Sequence, residues 1–167
     1  MFREMRRKGQ ALPPEEIDQI LDEADYITVA FHGDDGYPYA VPLCFVRCGD
    51  IIYFHSAKQG HKVDALRSNE KVSFVAIGEQ RVVSEEYTTY YRSVMGFGRA
   101  RIVDDPDEKL AGARALGDRC WPDHDAELAA ELARGLDRML MVAIDIEHLT
   151  GKESIEFAQM RRAAHKA

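Results

Sequence analysis

The feature of this sequence that most constrains its fold is a series of short β-branched and aromatic runs separated by tight-turn residues. Residues 26–31 form the first run, and Gly33-Asp34-Asp35-Gly36 separates it from a second run over residues 39–46. Two such runs around a turn of this composition predict a β-hairpin. Cys48-Gly49-Asp50 predicts the next tight turn, and residues 51–55 a third strand. Three successive strands joined by short turns predict an antiparallel meander.

The remainder of the chain predicts more strands, with helices between them. The further strands cover residues 71–78, 93–103 and 139–146. Helices are predicted after Pro14, over residues 60–67, after Pro106 and around Leu128, and a short tail from Gly151. Six strands joined mostly by hairpins predict an all-β fold with peripheral helices, an α+β antiparallel barrel.

Length and composition limit the classes of protein that the chain can represent. Its 167 residues suit one domain, residues 1–167, that is large enough to bury a core. No apolar run approaches the roughly 20 residues of a membrane helix, and the basic N-terminus lacks the apolar stretch of a secretory signal. A net charge of −7 disfavours nucleic-acid binding. We therefore expect a cytoplasmic protein without a membrane or nucleic-acid partner.

The three cysteines do not form a recognisable metal site. Cys44 and Cys48 are spaced C-x3-C, but no second Cys/His pair lies nearby to complete the four ligands that zinc needs. Cys120 lies beside Trp121 with no neighbouring base. The sequence therefore predicts no metal, and it predicts idle or buried thiols in a reducing cytoplasm, with Cys120 in a packing role.

The segment 53–66 carries the clearest signal for a ligand. A strand ends near His55, a polar loop containing Gly60 follows, and then a helix begins. The first amides of a helix lack internal partners and lie at the positive end of its dipole, so they bind anions. Four side chains add hydroxyl, imidazole and cationic groups: Ser56, Lys58, His61 and Lys62. The pattern favours a phosphate site, although ordinary strand–loop–helix junctions have a similar composition.

Known phosphate-binding motifs do not account for this segment. Neither the Walker loop nor the dinucleotide Gly-x-Gly-x-x-Gly pattern is present in it. Gly96-Phe97-Gly98 is a Gly-x-Gly, but it lies inside a predicted strand. There it indicates a β-bulge or a close approach of another group to the backbone.

Several segments together resemble one known family. They are Pro38-Tyr39-Ala40-Val41-Pro42-Leu43, Ile52-Tyr53-Phe54-His55-Ser56-Ala57, Gly60-His61-Lys62 and Asn69-Glu70-Lys71-Val72-Ser73-Phe74, with the opening Met5-Arg6-Arg7-Lys8 and the closing Leu149-Thr150-Gly151-Lys152-Glu153. In these segments the chain resembles the pyridoxamine-phosphate-oxidase-like flavin proteins. It is most similar to their nitroimidazole reductase (Nim) branch, and the similarity spans nearly the whole chain.

The resemblance implies a split β-barrel that forms a homodimer and binds FMN at the subunit interface. The strand of Pro38, Tyr39, Ala40, Val41 and Pro42 would lie along the isoalloxazine ring. The ribityl chain and phosphate would be near His55 and Ser56, beside the loop that contains Lys58 and Gly60. The phosphate would be held by His61 and Lys62. The oxidase branch usually has arginine where this chain has His61, which favours the reductase branch.

The function implied is a flavin-dependent oxidoreductase. FMN would take electrons from a nicotinamide cofactor and pass them to a small aromatic acceptor such as a nitro compound. Alternatives are a non-catalytic FMN module, a haem protein with His61 as axial ligand, and a deazaflavin relative. Arg99 and Arg101 are candidate neighbours of the flavin or members of a paired surface. Residues 84–92, with three tyrosines, are either a loop over the flavin or a packed connection.

Overall fold

The computed structural model describes residues 2–164 and contains one antiparallel sheet of seven strands. The strands are β1 (Tyr26–His32), β2 (Pro38–Cys44), β3 (Val46–Cys48), β4 (Ile51–Ala57), β5 (Lys71–Val83), β6 (Thr88–Ile102) and β7 (Met139–Glu153). The helices are α1 (Pro14–Glu23), α2 (His61–Ser68), α3 (Pro106–Cys120), α4 (Asp125–Gly135) and α5 (Ile155–Ala164).

The order of strands in the sheet confirms part of the predicted topology and corrects part of it. The order is β2-β1-β5-β6-β7-β4-β3. The β1–β2 hairpin is present, with Tyr26 opposite Cys44 and His32 opposite Pro38. The predicted three-strand meander is wrong, because β4 pairs with β3 and β7 and not with β2.

Phe45 explains this difference. The predicted strand over residues 39–46 is two strands, β2 and β3, and Phe45 lies between them with none of its surface exposed. β2 and β3 are the two edges of the sheet, so the chain passes from one edge to the other at a single residue. The seven strands must curve for this to be possible. The described residues have no pairing between β2 and β3, and the barrel is therefore split there.

Every second side chain of the strands points into the barrel, and these side chains form its core. In β1, Ile27, Val29 and Phe31 are buried, whereas the residues between them are not. This is the period of two that a sheet with one buried face requires. The core also contains fully buried Phe45 and Phe54. Burial of each such side chain contributes about 1.5–3 kcal/mol to stability.

A second apolar cluster lies outside the barrel, under α3. It contains Tyr53 of β4 and Met141 of β7, together with Ala113 and Leu116 of that helix. Tyr53 precedes Phe54 in β4, so its side chain lies on the opposite face of the strand. Both faces of β4 are therefore covered, one by the barrel core and the other by α3.

The helices largely follow the prediction. α2 begins at His61, and its Val63 and Leu66 are buried, as the sequence indicates. Within residues 2–164, none of the helices has the length and apolar character needed to cross a bilayer.

Residues 84–92 are the tip of a long hairpin formed by β5 and β6, which extend beyond their predicted bounds. Tyr90 is buried against the edge of Phe157, with ring centroids 5.2 Å apart, whereas Tyr87 at the tip is 98% exposed. The tyrosines of this segment therefore differ in environment, and Tyr90 has a packing role.

The predicted C-terminal tail is instead structured. β7 continues to Glu153, and α5 follows it. The Glu153 carboxylate is fully buried and accepts hydrogen bonds from Arg161 at 2.6 and 2.9 Å. The side chain of Gln10 donates to the Glu153 carbonyl oxygen at 2.9 Å. These interactions hold the N-terminal segment, the end of β7 and α5 together.

The Gly-x-Gly in β6 shows both features that were predicted for it. The pairing of β6 with β7 shifts register between Phe97 and Gly98. A Cβ atom at Gly96 would lie 2.1 Å from Cζ of Phe74. The Phe74 ring therefore fills the space where a side chain of residue 96 would lie.

We expect Gly96→Ala to lower the free energy of unfolding by about 1–3 kcal/mol, because the Phe74 ring has to leave its position in the packed core. Urea unfolding followed by circular dichroism measures the change. Gly135→Ala is the matched control, since the nearest atom to a Cβ there lies 3.6 Å away. Equal stability of the two variants would contradict this account of Gly96.

Candidate flavin phosphate site

The junction between β4 and α2 has the backbone geometry of an anion site. β4 ends at Ala57, and α2 begins at His61 after a three-residue loop. Gly60 has φ 119°, a conformation that glycine adopts without strain. Its carbonyl oxygen accepts hydrogen bonds from the amides of Val63 at 2.8 Å and Asp64 at 3.1 Å. The amides of residues 61 and 62 precede these bonds and belong to the first turn, which lacks internal acceptors.

Lys62 is a half-buried cation at this helix start. Its Nζ lies 5.6 Å from the ring centroid of Phe54, a core residue. In the part of the chain that the structure describes, no carboxylate lies within 4.0 Å of the Lys62 ammonium group. Burial lowers the pKa of Lys62 below its ordinary value of 10.5. A bound anion would compensate the charge.

The fold brings the two separate candidate segments together. The rings of Tyr39 on β2 and His61 on α2 are stacked, with centroids 4.0 Å apart and planes inclined by 23°. Asp34, in the turn between β1 and β2, has a carboxylate oxygen 3.5 Å from His61 Nε2. The aspartate is 88% exposed, so this interaction is weak and solvent-screened.

Strand β2 has an unpaired edge, because β1 is the strand that pairs with it among the described residues. Its side chains alternate: Pro38, Ala40 and Pro42 are exposed, whereas Tyr39 and Val41 are half-buried. Proline is tolerated on an edge strand, where a missing amide does not break a ladder. The edge leaves backbone donors and acceptors available to a ligand.

His55 and Ser56 are neighbours whose side chains face opposite sides of β4. Ser56 is 5% exposed and lies on the barrel side, whereas His55 is exposed. His55 lines a cavity of about 220 Å³ under α3 and α4, together with Leu116 and Leu128. The structure therefore does not bring these two side chains together. Lys58 and Gly60 lie exposed in the loop before α2.

The arginines that the sequence offered as neighbours of a flavin have other partners. Arg99 pairs with Glu147 at 2.7 Å and with Glu70. Arg101 donates to both carboxylate oxygens of Glu108, at 2.7 and 3.0 Å, and to Asp145 at 3.1 Å. These contacts support the interpretation of a paired barrel face.

Tyr53 completes this network. Its hydroxyl donates to Glu108 at 2.9 Å. Burial, followed by the interactions with Glu108, raises the pKa of Tyr53 to about 12. Hydrogen bonds from Arg101 lower the pKa of the Glu108 carboxyl. The network attaches the start of α3 to the sheet.

The topology agrees with a comparison against protein families. The family model described as pyridoxamine 5'-phosphate oxidase matches residues 13–153, which include all seven strands. The chain belongs to this family. The predicted membership of the pyridoxamine-phosphate-oxidase-like proteins is thus confirmed, and the split-barrel fold with it. A search of curated proteins gave no significant match.

Several solved structures have a similar fold. The FAD and heme binding protein from Mycobacterium smegmatis is 28% identical, with 89% of this chain and 74% of that chain covered and a TM-score of 0.75. A proposed 5-nitroimidazole antibiotic resistance protein from Bacteroides thetaiotaomicron is 22% identical, with 86% of each chain covered and a TM-score of 0.72.

A flavocytochrome from Azotobacter vinelandii has the same fold. It is 23% identical, with 91% of this chain and 72% of that chain covered and a TM-score of 0.75. The identities to the Bacteroides and Azotobacter proteins are low, so these two similarities show the fold alone. Ligand binding by the residues of the candidate site stays a prediction for this member of the pyridoxamine 5'-phosphate oxidase family.

We expect the Lys62 ammonium group to titrate below 10.5 in the folded protein. Between the folded and unfolded pKa values the unfolded state binds more protons, so the stability contributed by this group rises with pH over that range. Heteronuclear NMR of the lysine Nζ signals measures the folded pKa, and Lys62→Gln assigns the resonance. The same protein unfolded in urea is the control, and equal pKa values in the two states would contradict the burial of Lys62.

Proposed function

We propose that this protein is an FMN-dependent oxidoreductase. The observation that carries the proposal is the half-buried Lys62, which lies at the start of α2 without a carboxylate partner among the described residues. The stacking of His61 on Tyr39 brings the start of α2, where Lys62 lies, against β2. Membership of the pyridoxamine 5'-phosphate oxidase family supports it. So do the flavin-binding descriptions of relatives of the same fold.

Different residues of this chain would bind the two ends of FMN. Lys62, His61 and the first amides of α2 would hold the phosphate, with Ser56, Lys58 and Gly60 around them. The backbone of Pro38, Tyr39, Ala40, Val41 and Pro42 would bond the polar edge of the ring, since β2 has an unpaired edge. The bound flavin would supply hydride and electron transfer, and the protein would supply position and electrostatics.

The proposed reaction takes electrons from a nicotinamide cofactor and gives them to a small aromatic acceptor such as a nitro compound. This choice rests on the similarity to the nitroimidazole reductase branch and on His61 at the position where the oxidase branch usually has arginine. Tests are the oxidation of NADH or NADPH in the presence and absence of a nitroaromatic compound. No oxidation by FMN-loaded protein under either condition would overturn the activity while leaving FMN binding intact.

Two relatives of the same fold, the FAD and heme binding protein and the flavocytochrome, support a second candidate, a binding module for a flavin or haem without turnover. His61 is the candidate axial ligand, but its ring is stacked on Tyr39 and its Nε2 lies near Asp34. An absorbance spectrum separates the candidates, because haem gives a Soret band and FMN gives flavin bands. A thermal-shift screen with FMN, FAD and a deazaflavin cofactor ranks the flavins, since stabilisation follows the excess of ligand over its Kd.

We expect Lys62→Ala to weaken FMN binding by about 1.5–3 kcal/mol, the contribution of a hydrogen bond to a charged group. This corresponds to a roughly 10- to 150-fold higher Kd, measured by quenching of flavin fluorescence. Arg67→Ala is the matched control, because Arg67 is a cation in the last turn of the same helix. Similar Kd values for wild type and Lys62→Ala would show that the phosphate lies elsewhere.

We further propose that the active form is a homodimer that places FMN at its interface. The outward face of β1, β5 and β6 has exposed apolar side chains that include Tyr26 at 60%, Ile77 at 58% and Met95 at 48%. A cavity of about 410 Å³ lies on this face beside Pro38, with Ser73 and Phe97 in its lining. Exposed apolar side chains grouped on one face are typical of an interface.

Met95→Lys is expected to weaken the dimer roughly 10- to 100-fold, because a charge on this face loses its hydration when the subunits associate. Analytical ultracentrifugation gives the dimer Kd, and fluorescence quenching gives the accompanying loss of FMN affinity. Leu110→Lys on α3 is the control, since Leu110 is similarly exposed at 45% but lies outside the sheet. A monomeric wild-type protein that binds FMN would contradict the interface.

A further inference from the structure

Arg119 holds the end of α3 against the end of the β1–β2 hairpin. Its Nη2 donates to the carbonyl oxygen of Ala24 at 2.7 Å, just before β1 begins. Its guanidinium group lies 4.9 Å from the ring centroid of Phe45. Cys44 precedes Phe45 and pairs with Tyr26 at the start of β1. The Arg119 side chain thus joins the end of α3 to the residue before β1 and to Phe45, which follows Cys44.

Cys120 follows Arg119 and completes a pair of neighbouring thiols. Cys44 is exposed and Cys120 is half-buried, and both are free cysteines. Burial raises the pKa of the Cys120 thiol, and a charge interaction and a hydrogen bond with Cys44 raise it further. The two cysteines are far apart in sequence, and the contacts of Arg119 with Ala24 and Phe45 bring together the segments that carry them.

We propose that Cys44 and Cys120 form a redox-sensitive disulfide that links the end of β2 to the end of α3. Cytosolic disulfides are usually transient and redox-sensing, which suits a pair that includes one exposed thiol. The pair is not a metal site, because no group of three metal-ligating side chains lies within residues 2–164. The chemistry requires only the two thiols and is independent of flavin binding.

Hydrogen peroxide is the proposed oxidant, and one molecule of it supplies the two-electron oxidation of the two thiols. The Cys44 thiolate attacks one peroxide oxygen, the O–O bond breaks, and sulfenic acid and water result. The Cys120 thiolate then attacks the Cys44 sulfur, the S–O bond breaks, and a second water leaves. Two thiols and one peroxide thus give one disulfide and two waters. Cys44 reacts first because it is the exposed thiol.

The raised pKa of Cys120 determines the pH dependence of the second step. Only the thiolate attacks the sulfenic acid, and its fraction increases as the pH approaches the pKa from below. The rate of disulfide closure in the folded protein is therefore expected to rise with pH.

Cys48 provides an internal control for this pair. It is exposed like Cys44 and only four positions from it, but it lies on β3, opposite Ile51. β3 pairs with β4, whose Tyr53 is bonded to Glu108 at the start of α3, whereas Cys120 is the last residue of that helix. Cys48 is therefore expected to stay outside the disulfide despite its position in the sequence.

Peptide mapping tests the proposal on the full-length protein. The protein is treated with hydrogen peroxide, its remaining thiols are alkylated, and it is digested with trypsin without reduction. Cleavage after Arg47 and Arg119 leaves Cys44, Cys48 and Cys120 in three different peptides. Mass spectrometry then identifies the linked pair, which is two hydrogens lighter than the sum of the separate peptides.

We expect the Cys44–Cys120 pair in wild type and in Cys48→Ser. It should be lost in Cys44→Ser, Cys120→Ser and Cys120→Ala, with circular dichroism confirming that each variant is folded. A mixture of ¹⁵N-labelled and unlabelled protein distinguishes an intramolecular link from one between chains. Overoxidised thiols without the linked peptide, a Cys44–Cys48 link, or a link between chains would each overturn the proposal.

Discussion

Phe45 is fully buried at the point where the chain leaves one edge of the sheet and enters the other. Because its ring must lie in the core, β2 and β3 cannot continue as one strand. The sheet curves so that both edges meet this residue, and β2 keeps one unpaired edge. The same ring contacts the guanidinium group of Arg119, which holds the end of α3. The candidate cofactor strand and the candidate thiol pair thus both depend on the burial of one aromatic side chain.

The charged groups of the protein divide into those with partners inside the protein and those available to a ligand. Arg99 and Arg101 are each held by two carboxylates, and Arg161 holds the buried Glu153. These pairs connect elements that are distant in sequence. Lys62 differs, because it is half-buried beside Phe54 and, within residues 2–164, has no carboxylate within 4.0 Å. Burial of an unpaired cation costs stability, and a bound anion would offset this cost, which is why Lys62 carries the proposal of a phosphate site.

Much of the local structure was predictable, whereas strand pairing was not. The β1–β2 hairpin and α2 follow from turn residues and from the spacing of Val63 and Leu66. The division of residues 39–46 into two strands at Phe45 could not be predicted, because the sequence around Phe45 continues the same β-forming pattern. The stacking of Tyr39 on His61 joins two candidate segments that the resemblance had placed at opposite ends of the ligand. The opposite orientation of His55 and Ser56 follows from the alternation of a strand, which the sequence does carry.

The sequence by itself determined the class of fold and the helix that begins at His61, because these depend on residue types at short spacing, and its resemblance over nearly the whole chain gave the family. Only the tertiary structure decided that β2 and β3 lie at opposite edges, that Arg161 holds the buried Glu153, and that the end of α3 lies against Phe45 at the end of β2. Each of these depends on the burial or contact of groups from distant parts of the chain. Local propensity carries no information about which distant segments meet, since many arrangements satisfy the same pattern until the core is packed.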